Sequence, residues 1–340
     1  MRRFLWMTLP SVAVLGGLAA LAVMLDQPRA ACGRALVQVS QGDAPSPRSL
    51  ALLRRAADAD APECQNALGL RHWYGAGVAE DDAAAAAWFG RAARLGHVAA
   101  QRNLGFAYFR GIGVARDLAR AEYWLRRAAD QGDEIADYRL GEMFASRDPA
   151  AAARHYARSA QRGHAPAQRE LGDLYRLGRG VAADPAQAEF WLRKASDQDD
   201  VEARFLLAAV LRGEERHRAD CAEAGQLMRD AAERGLVQAQ RELGFMVLNG
   251  WCVPWDAKTG VAWLRAAAER NDDIAQYLLA QSLRTGVGAK ANVAEATQWL
   301  KRAAAQGYEP AIQALAEMAA ASRPAAKPVP KPQPRPRKGR

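Results

Sequence analysis

Apolar and polar positions follow the 3.6-residue beat of amphipathic helices along most of the chain, and the pattern restarts at a fixed interval. A Leu followed by Gly or Ala marks each restart: Leu68, Leu104, Leu140, Leu171, Leu207, Leu243, Leu279 and Leu315, spaced 36 residues apart except for one interval of 31. Four residues before each stands a small residue, Cys64, Ala100, Ala136, Ala167, Ala203, Ala239, Ala275 or Ala311, and large ones such as Tyr108, Phe144 and Tyr175 stand four after. These positions share one helical face, so each unit is predicted to open with a helix, and the Gly after Leu leaves room for a close neighbour.

That first helix is predicted to stop at Gly-x-Gly-Val, as in Gly75–Val78, Gly111–Val114 and Gly178–Val181, with Gly286–Ala289 a variant. The glycines supply the positive φ of a helix terminus. A nucleotide-binding reading would need a preceding strand and a longer glycine pattern, and neither is present. Asp81, Asp117, Asp148, Asp184, Asp220, Asp256 and Asn292 follow at a constant offset, shortened in one repeat, and are predicted N-caps of a second helix. Trp88, Trp124, Trp191, Trp263 and Trp299 lie on that helix, which closes near Gly96, Gly132, Gly163, Gly235 or Gly307. A Trp recurring in this way is read as packing between units.

Taken together, the pattern Ala-x-x-x-Leu-Gly-x-x-Tyr-x-x-Gly-x-Gly-Val-x-x-Asp-x-x-x-Ala-x-x-Trp-x-x-x-Ala-Ala-x-x-Gly resembles the Sel1-like repeat family, relatives of tetratricopeptide repeats with a longer interhelical loop. The resemblance covers roughly residues 46–321. It implies an all-α fold, a right-handed α-solenoid of about seven helix-turn-helix repeats with capping half-repeats and first helices lining the concave face. It also implies a role as adaptor or scaffold, and it carries over no catalytic residue. Three repeats depart from the pattern. Residues 133–163 are five short and lack the Gly-x-Gly-Val turn, the fifth repeat replaces that turn with Gly213–Asp220, and the sixth reads Gly250-Trp251-Cys252-Val253.

Outside the repeats, Met1-Arg2-Arg3 precedes an uncharged run from Phe4 to Leu25. At 1.5 Å per residue this run reaches about 33 Å, enough to span the hydrocarbon layer. Residues 1–25 are therefore expected to be a signal-anchor helix that places the repeats outside the cytoplasm, periplasmic behind an inner membrane. Pro28-Arg29-Ala30-Ala31 is a poor cleavage site, and cleavage would instead give a secreted or periplasmic protein. Residues 26–45 read as a linker and 322–340 as a disordered Pro/Lys/Arg-rich tail.

The formal charge of +9 suggests nucleic-acid binding until it is located. Residues 323–340 hold seven Lys/Arg and no acid, and Arg2 and Arg3 account for the remaining two, so residues 4–322 are formally neutral. No nucleic-acid partner is expected. The tail's charge and six prolines suit an anionic envelope surface or a proline-reading partner.

Four cysteines permit three pairings. Cys221 and Cys252 fall at the same end of adjacent stacked units and are the favoured pair, leaving Cys32 and Cys64 to tie the linker to the first repeat; four free thiols are the alternative. His72, His97, His155, His164 and His217 show no metal-ligand spacing, and no nucleophile or cofactor motif is present. The expectation is an interaction protein without cofactor or metal, not an enzyme, with protein partners in the envelope.

A helical wheel centred on the key Leu sends positions −2, +2 and +5 away from the buried face. This stripe contains Trp73, Arg102, Phe106, Phe109, Tyr138, Arg169, Arg176, Phe205, Arg241, Phe245, Tyr277 and Arg284. Aromatic residues and arginine are the side chains that most often anchor protein interfaces. The stripe is the predicted binding surface for an extended protein segment, against the plainer reading of inter-repeat packing and solvated arginines.

Overall fold

The computed structural model describes residues 32, 33, 36, 46–212 and 218–321. Both the membrane-targeting segment 1–25 and the tail 322–340 lie outside them. The described residues form sixteen α-helices and no strand. None of these helices is long and apolar enough to cross a membrane.

The chain divides into two compact units, one through Gln198 and one from Asp199. The first contains α1 (Pro47–Asp58), α2 (Pro62–Tyr74), α3 (Asp82–Arg94), α4 (Val98–Arg110), α5 (Leu118–Asp130), α6 (Glu134–Phe144), α7 (Pro149–Gln161), α8 (Ala165–Leu177) and α9 (Pro185–Ser196). The second contains α10 (Val201–Leu211), α11 (Arg218–Glu233), α12 (Val237–Asn249), α13 (Ala257–Glu269), α14 (Asp273–Thr285), α15 (Val293–Ala305) and α16 (Glu309–Ala321). Within each unit every helix packs on the next in sequence, which is the layout of an all-α solenoid.

The repeated residues do what their spacing predicts. All eight small residues four before the key Leu are fully buried, from Cys64 through Ala311. Beside them, Gly105 lies so close to α5 that an added Cβ would come within 2.7 Å of Leu125 Cγ. The first turn glycine ends α4 in the left-handed region, Gly111 at φ 75°. Gly113 has φ 67°, and a Cβ there would lie 1.9 Å from the carbonyl oxygen of Asp82 in the preceding repeat. Only glycine fits that contact.

Second helices are capped as expected. The carboxylates of Asp81, Asp117, Asp148, Asp184 and Asp256 and the amide oxygen of Asn292 accept backbone N–H groups in the following turn. Asp220 is a correction. Helix α11 begins at Arg218, so Asp220 falls inside its first turn and complements the N-terminal dipole there. The Trp row packs between repeats: Trp88, Trp124 and Trp191 each join the apolar cluster of the preceding repeat, and Trp299 is nearly buried.

Both favoured disulfides form, Cys32–Cys64 and Cys221–Cys252, with Cα separations of 5.7 and 4.8 Å. Cys32 is buried and, with Leu36, packs on the core of α1 and α2, so part of the expected linker belongs to the first repeat. Cys252 holds the place of the second turn glycine and adopts φ 59°.

Candidate functional site on the first helices

In the first unit the predicted stripe forms a ladder across consecutive repeats. Trp73 of α2 lies 6.1 Å from Phe106 of α4, ring to ring. The guanidinium of Arg139, from α6, sits 4.6 Å over Phe106 and 5.5 Å from the ring of Tyr138. Tyr138 continues the row to His164 at 4.9 Å and Tyr156 at 5.6 Å. Trp73, Phe106, Phe109 and Tyr138 are all half-buried, so each keeps part of its surface exposed. Burial raises the Tyr138 and Tyr156 hydroxyls above the ordinary tyrosine range, so both rings stay neutral. Burial also holds His164 below the usual histidine value, and its Nδ1 is buried without a hydrogen-bond partner.

The arginines divide into groups. Arg102 donates to Asp133, the N-cap of α6, at 2.8 Å. Arg176 pairs with Asp173 at 2.6 Å within α8, and Arg169 with Glu170 at 3.1 Å. In the second unit Arg241 donates to Asp272, the N-cap of α14, at 2.8 Å. Arg284 makes no ion pair among the described residues. Arg102 and Arg241 therefore tie one repeat to the next, and their charge is largely satisfied before any partner arrives.

The second unit's aromatics are more scattered. Phe245 meets Trp251 edge-on at 5.3 Å, and Tyr277 meets Tyr308 at 5.5 Å while its hydroxyl accepts from Gln281 Nε2 at 2.7 Å. Phe205 is half-buried on α10.

Sequence reasoning missed Arg139, which stands one position before the key Leu, and a buried glutamine three before it. Gln65, Gln101, Gln168, Gln240 and Gln276 are buried, and each donates Nε2 to a carbonyl near the end of the preceding second helix at 3.0–3.2 Å. In the short third repeat this place is taken by Asp137, which is fully buried. Arg162 donates to it at 2.5 Å, Arg158 Nε lies at 3.3 Å, and His155 Nδ1 at 3.2 Å. The recurrence of Gln at one offset was the available signal. Among the described residues, no group of three or more His, Cys, Asp or Glu is placed to hold a metal ion.

A family model described as the Sel1 repeat matches seven segments: 62–97, 98–133, 135–164, 165–200, 201–236, 237–272 and 273–308. The chain is 29% identical over 170 residues to chitin synthase regulatory factor 3 of Schizosaccharomyces pombe, an alignment spanning 49% of this chain and 14% of that protein. In fold it is similar to a protective antigen present in uropathogenic Escherichia coli strains, described as displaying an SLR fold. That likeness has a TM-score of 0.76 and 28% identity, over 82% of this chain and 60% of the antigen. It is also similar to a Sel1 repeat protein from Oxalobacter formigenes, with a TM-score of 0.65 and 30% identity over 88% of this chain and 90% of that one.

Proposed function

The chain belongs to the Sel1 repeat family, and on that premise we propose that it is a membrane-anchored extracytoplasmic adaptor that binds an extended protein segment along its first helices. Sel1 repeats generally mediate protein–protein interaction. The observation that carries the reading is the Trp73–Phe106–Arg139–Tyr138 ladder, in which three successive repeats contribute ring faces and a guanidinium to one continuous row. Rings and guanidinium are held by packing, so a partner would meet a preorganised surface at a low entropic cost.

The extracytoplasmic assignment draws support from the two disulfides, which persist in oxidising compartments. The anchor rests on the uncharged run from Phe4 to Leu25. Envelope proteins are the partners this location offers, and the basic tail would add contact with an anionic surface. The alternative is a secreted or periplasmic regulator that sequesters a receptor domain, and retention in the membrane fraction after alkaline wash separates the two. Proximity labelling from the carboxy terminus identifies the partner. Substitution of Phe106 and Arg139 by Ala should then weaken the recovered complex at least about tenfold. Unchanged affinity would eliminate the ladder as its binding surface.

A further inference from the structure

Repeat six carries two tryptophans that building the stack does not require. Trp251 and Trp255 flank the turn between α12 and α13 and are 52% and 65% exposed. The corresponding turn positions in other repeats are Ala76 and Glu80, Ile112 and Arg116, Arg179 and Ala183, and Val287 and Ala291. These turns form without aromatic residues, so the Trp pair has no part in closing the turn. The loop bearing it is fixed by the Cys221–Cys252 bond to α11 and by packing of Trp255 Cβ near Gly250. Exposed tryptophans on a tethered backbone are a ready-made contact site, because little ordering entropy remains to be lost.

The helical part of the unit that carries it has a small net negative charge. Residues 199–321 carry seventeen Asp/Glu against fourteen Lys/Arg. Behind the same loop, between α11 and Pro254, opens a cavity of about 400 Å³ whose wall includes Glu233, Arg229 and an Asp230 already paired with Arg204 and Arg234. Exposed indoles on helical repeats of net negative charge suit a ligand that alternates proline with cations: proline stacks on indole, and Lys or Arg adds cation–π and long-range ionic attraction.

Residues 323–340 have that chemistry, with six prolines, seven Lys/Arg and no acid. The topology also delivers them to the right edge. First helices α12, α14 and α16 alternate with second helices that run back, so the end of α16 at Ala321 lies on the edge that holds the 250–256 and 286–292 turns. Those two turns are neighbours, since a Cβ on Gly288 would meet the carbonyl of Ala257. From Ala321 the Trp pair is two repeats away, and eighteen residues of chain can span at most about 60 Å.

We propose that Trp251 and Trp255 form a docking site for a proline- and arginine-rich segment, and that its occupant is this chain's own tail. The cis-bound tail offsets the net negative charge of repeats five to seven and becomes available to an anionic surface only when displaced. Trp251 meets Phe245 of the first-helix stripe edge-on at 5.3 Å, but the site shares no residue with the Trp73–Phe106–Arg139–Tyr138 ladder and does not rest on the adaptor reading.

The test uses a fluorescein-labelled peptide of residues 323–340 with the full chain. In wild type the tethered tail competes at an effective concentration on the order of millimolar, so the peptide binds weakly. A full-length variant with the seven tail cations replaced by Gln should bind the peptide at least about tenfold more tightly, and adding W251A and W255A should remove that gain. Both tryptophans are exposed, so the thermal midpoint should hold, and W255A alone serves as a second variant. Equal binding by wild type and the tail variant would overturn the cis assignment in favour of another copy's tail or another protein. Failure of the tail variant to bind, or binding that survives W251A and W255A, would overturn the site itself.

Discussion

Arg241 donates to the carboxylate of Asp272 at 2.8 Å, and Arg102 makes the same bond to Asp133 at the same distance in the other unit. In each case the arginine is two before the key Leu and the aspartate is the N-cap of the next first helix. That carboxylate also accepts a backbone N–H from Ala275 or Ala136. One aspartate thus caps a helix and joins two repeats.

Removing the arginine should therefore loosen the stack. R241A is expected to cost about 1–3 kcal/mol, because the Asp272 side chain is only 8% exposed and loses a charged donor. Chemical denaturation of R241A, D272A and the double variant should show strong non-additivity. Additive losses would mean that the pair contributes nothing of its own.

Asp137 is the most consequential carboxylate in the first unit. With Arg158, Arg162 and His155 directed at a fully buried carboxylate, D137A should destabilise by about 1–3 kcal/mol, since it removes their shared buried acceptor while solvent screens the half-exposed guanidinium groups left behind. D130A removes a surface partner of Arg158 that is 73% exposed and should change stability little. Comparable losses from the two substitutions would contradict the burial argument.

Acid should weaken the fold through histidine. Burial of its ring holds His97 below its ordinary 6.5, and its Nδ1 accepts the Ala100 N–H as the N-cap of α4, which needs the unprotonated ring. As pH falls the unfolded chain takes up a proton first, so stability is complete above about 6.5 and is lost progressively down to the folded-state pKa. His164 adds to this in the same direction. H97D keeps a cap of the kind Asp133 makes and should flatten the decline between pH 7 and 5. An unchanged slope in H97D would exclude His97 as a source.

The Cys221–Cys252 bond closes a loop of 31 residues. Its removal in C221S/C252S should cost about 3–4 kcal/mol by loop-closure entropy. Reductant should lower the wild-type denaturation midpoint while leaving unchanged the 221–252 contribution in that variant. A midpoint insensitive to both changes would show that the bond does not constrain the unfolded chain.

Most of the scaffold was legible because it is periodic. Leu104, Ala100, Gly113 and Asp117 recur at fixed offsets, and repetition separates a structural requirement from chance. The site was less legible, for physical reasons. Gln101 resembles a surface residue in a helical wheel, yet it is buried because it serves a carbonyl of the preceding repeat. Arg102 resembles an interface anchor, but its partner stands 31 residues away, one repeat on. Asp220 kept the offset of a cap while its helix started two residues earlier. Single-copy features such as Asp137 and Trp251 have no period to reveal them, and only the folded chain shows what surrounds each.

The central claim is that the first-helix ladder of the first unit is the surface a protein partner meets. The direct measurement is photocrosslinking in cells from a benzoyl-phenylalanine placed at Phe106, compared with one at Arg126 on the exposed face of second helix α5. A discrete protein adduct from position 106, absent from position 126 and lost when Arg139 and Tyr138 are replaced by Ala, is the predicted result. Adducts from position 126 alone, or adducts from position 106 that survive those replacements, would contradict it.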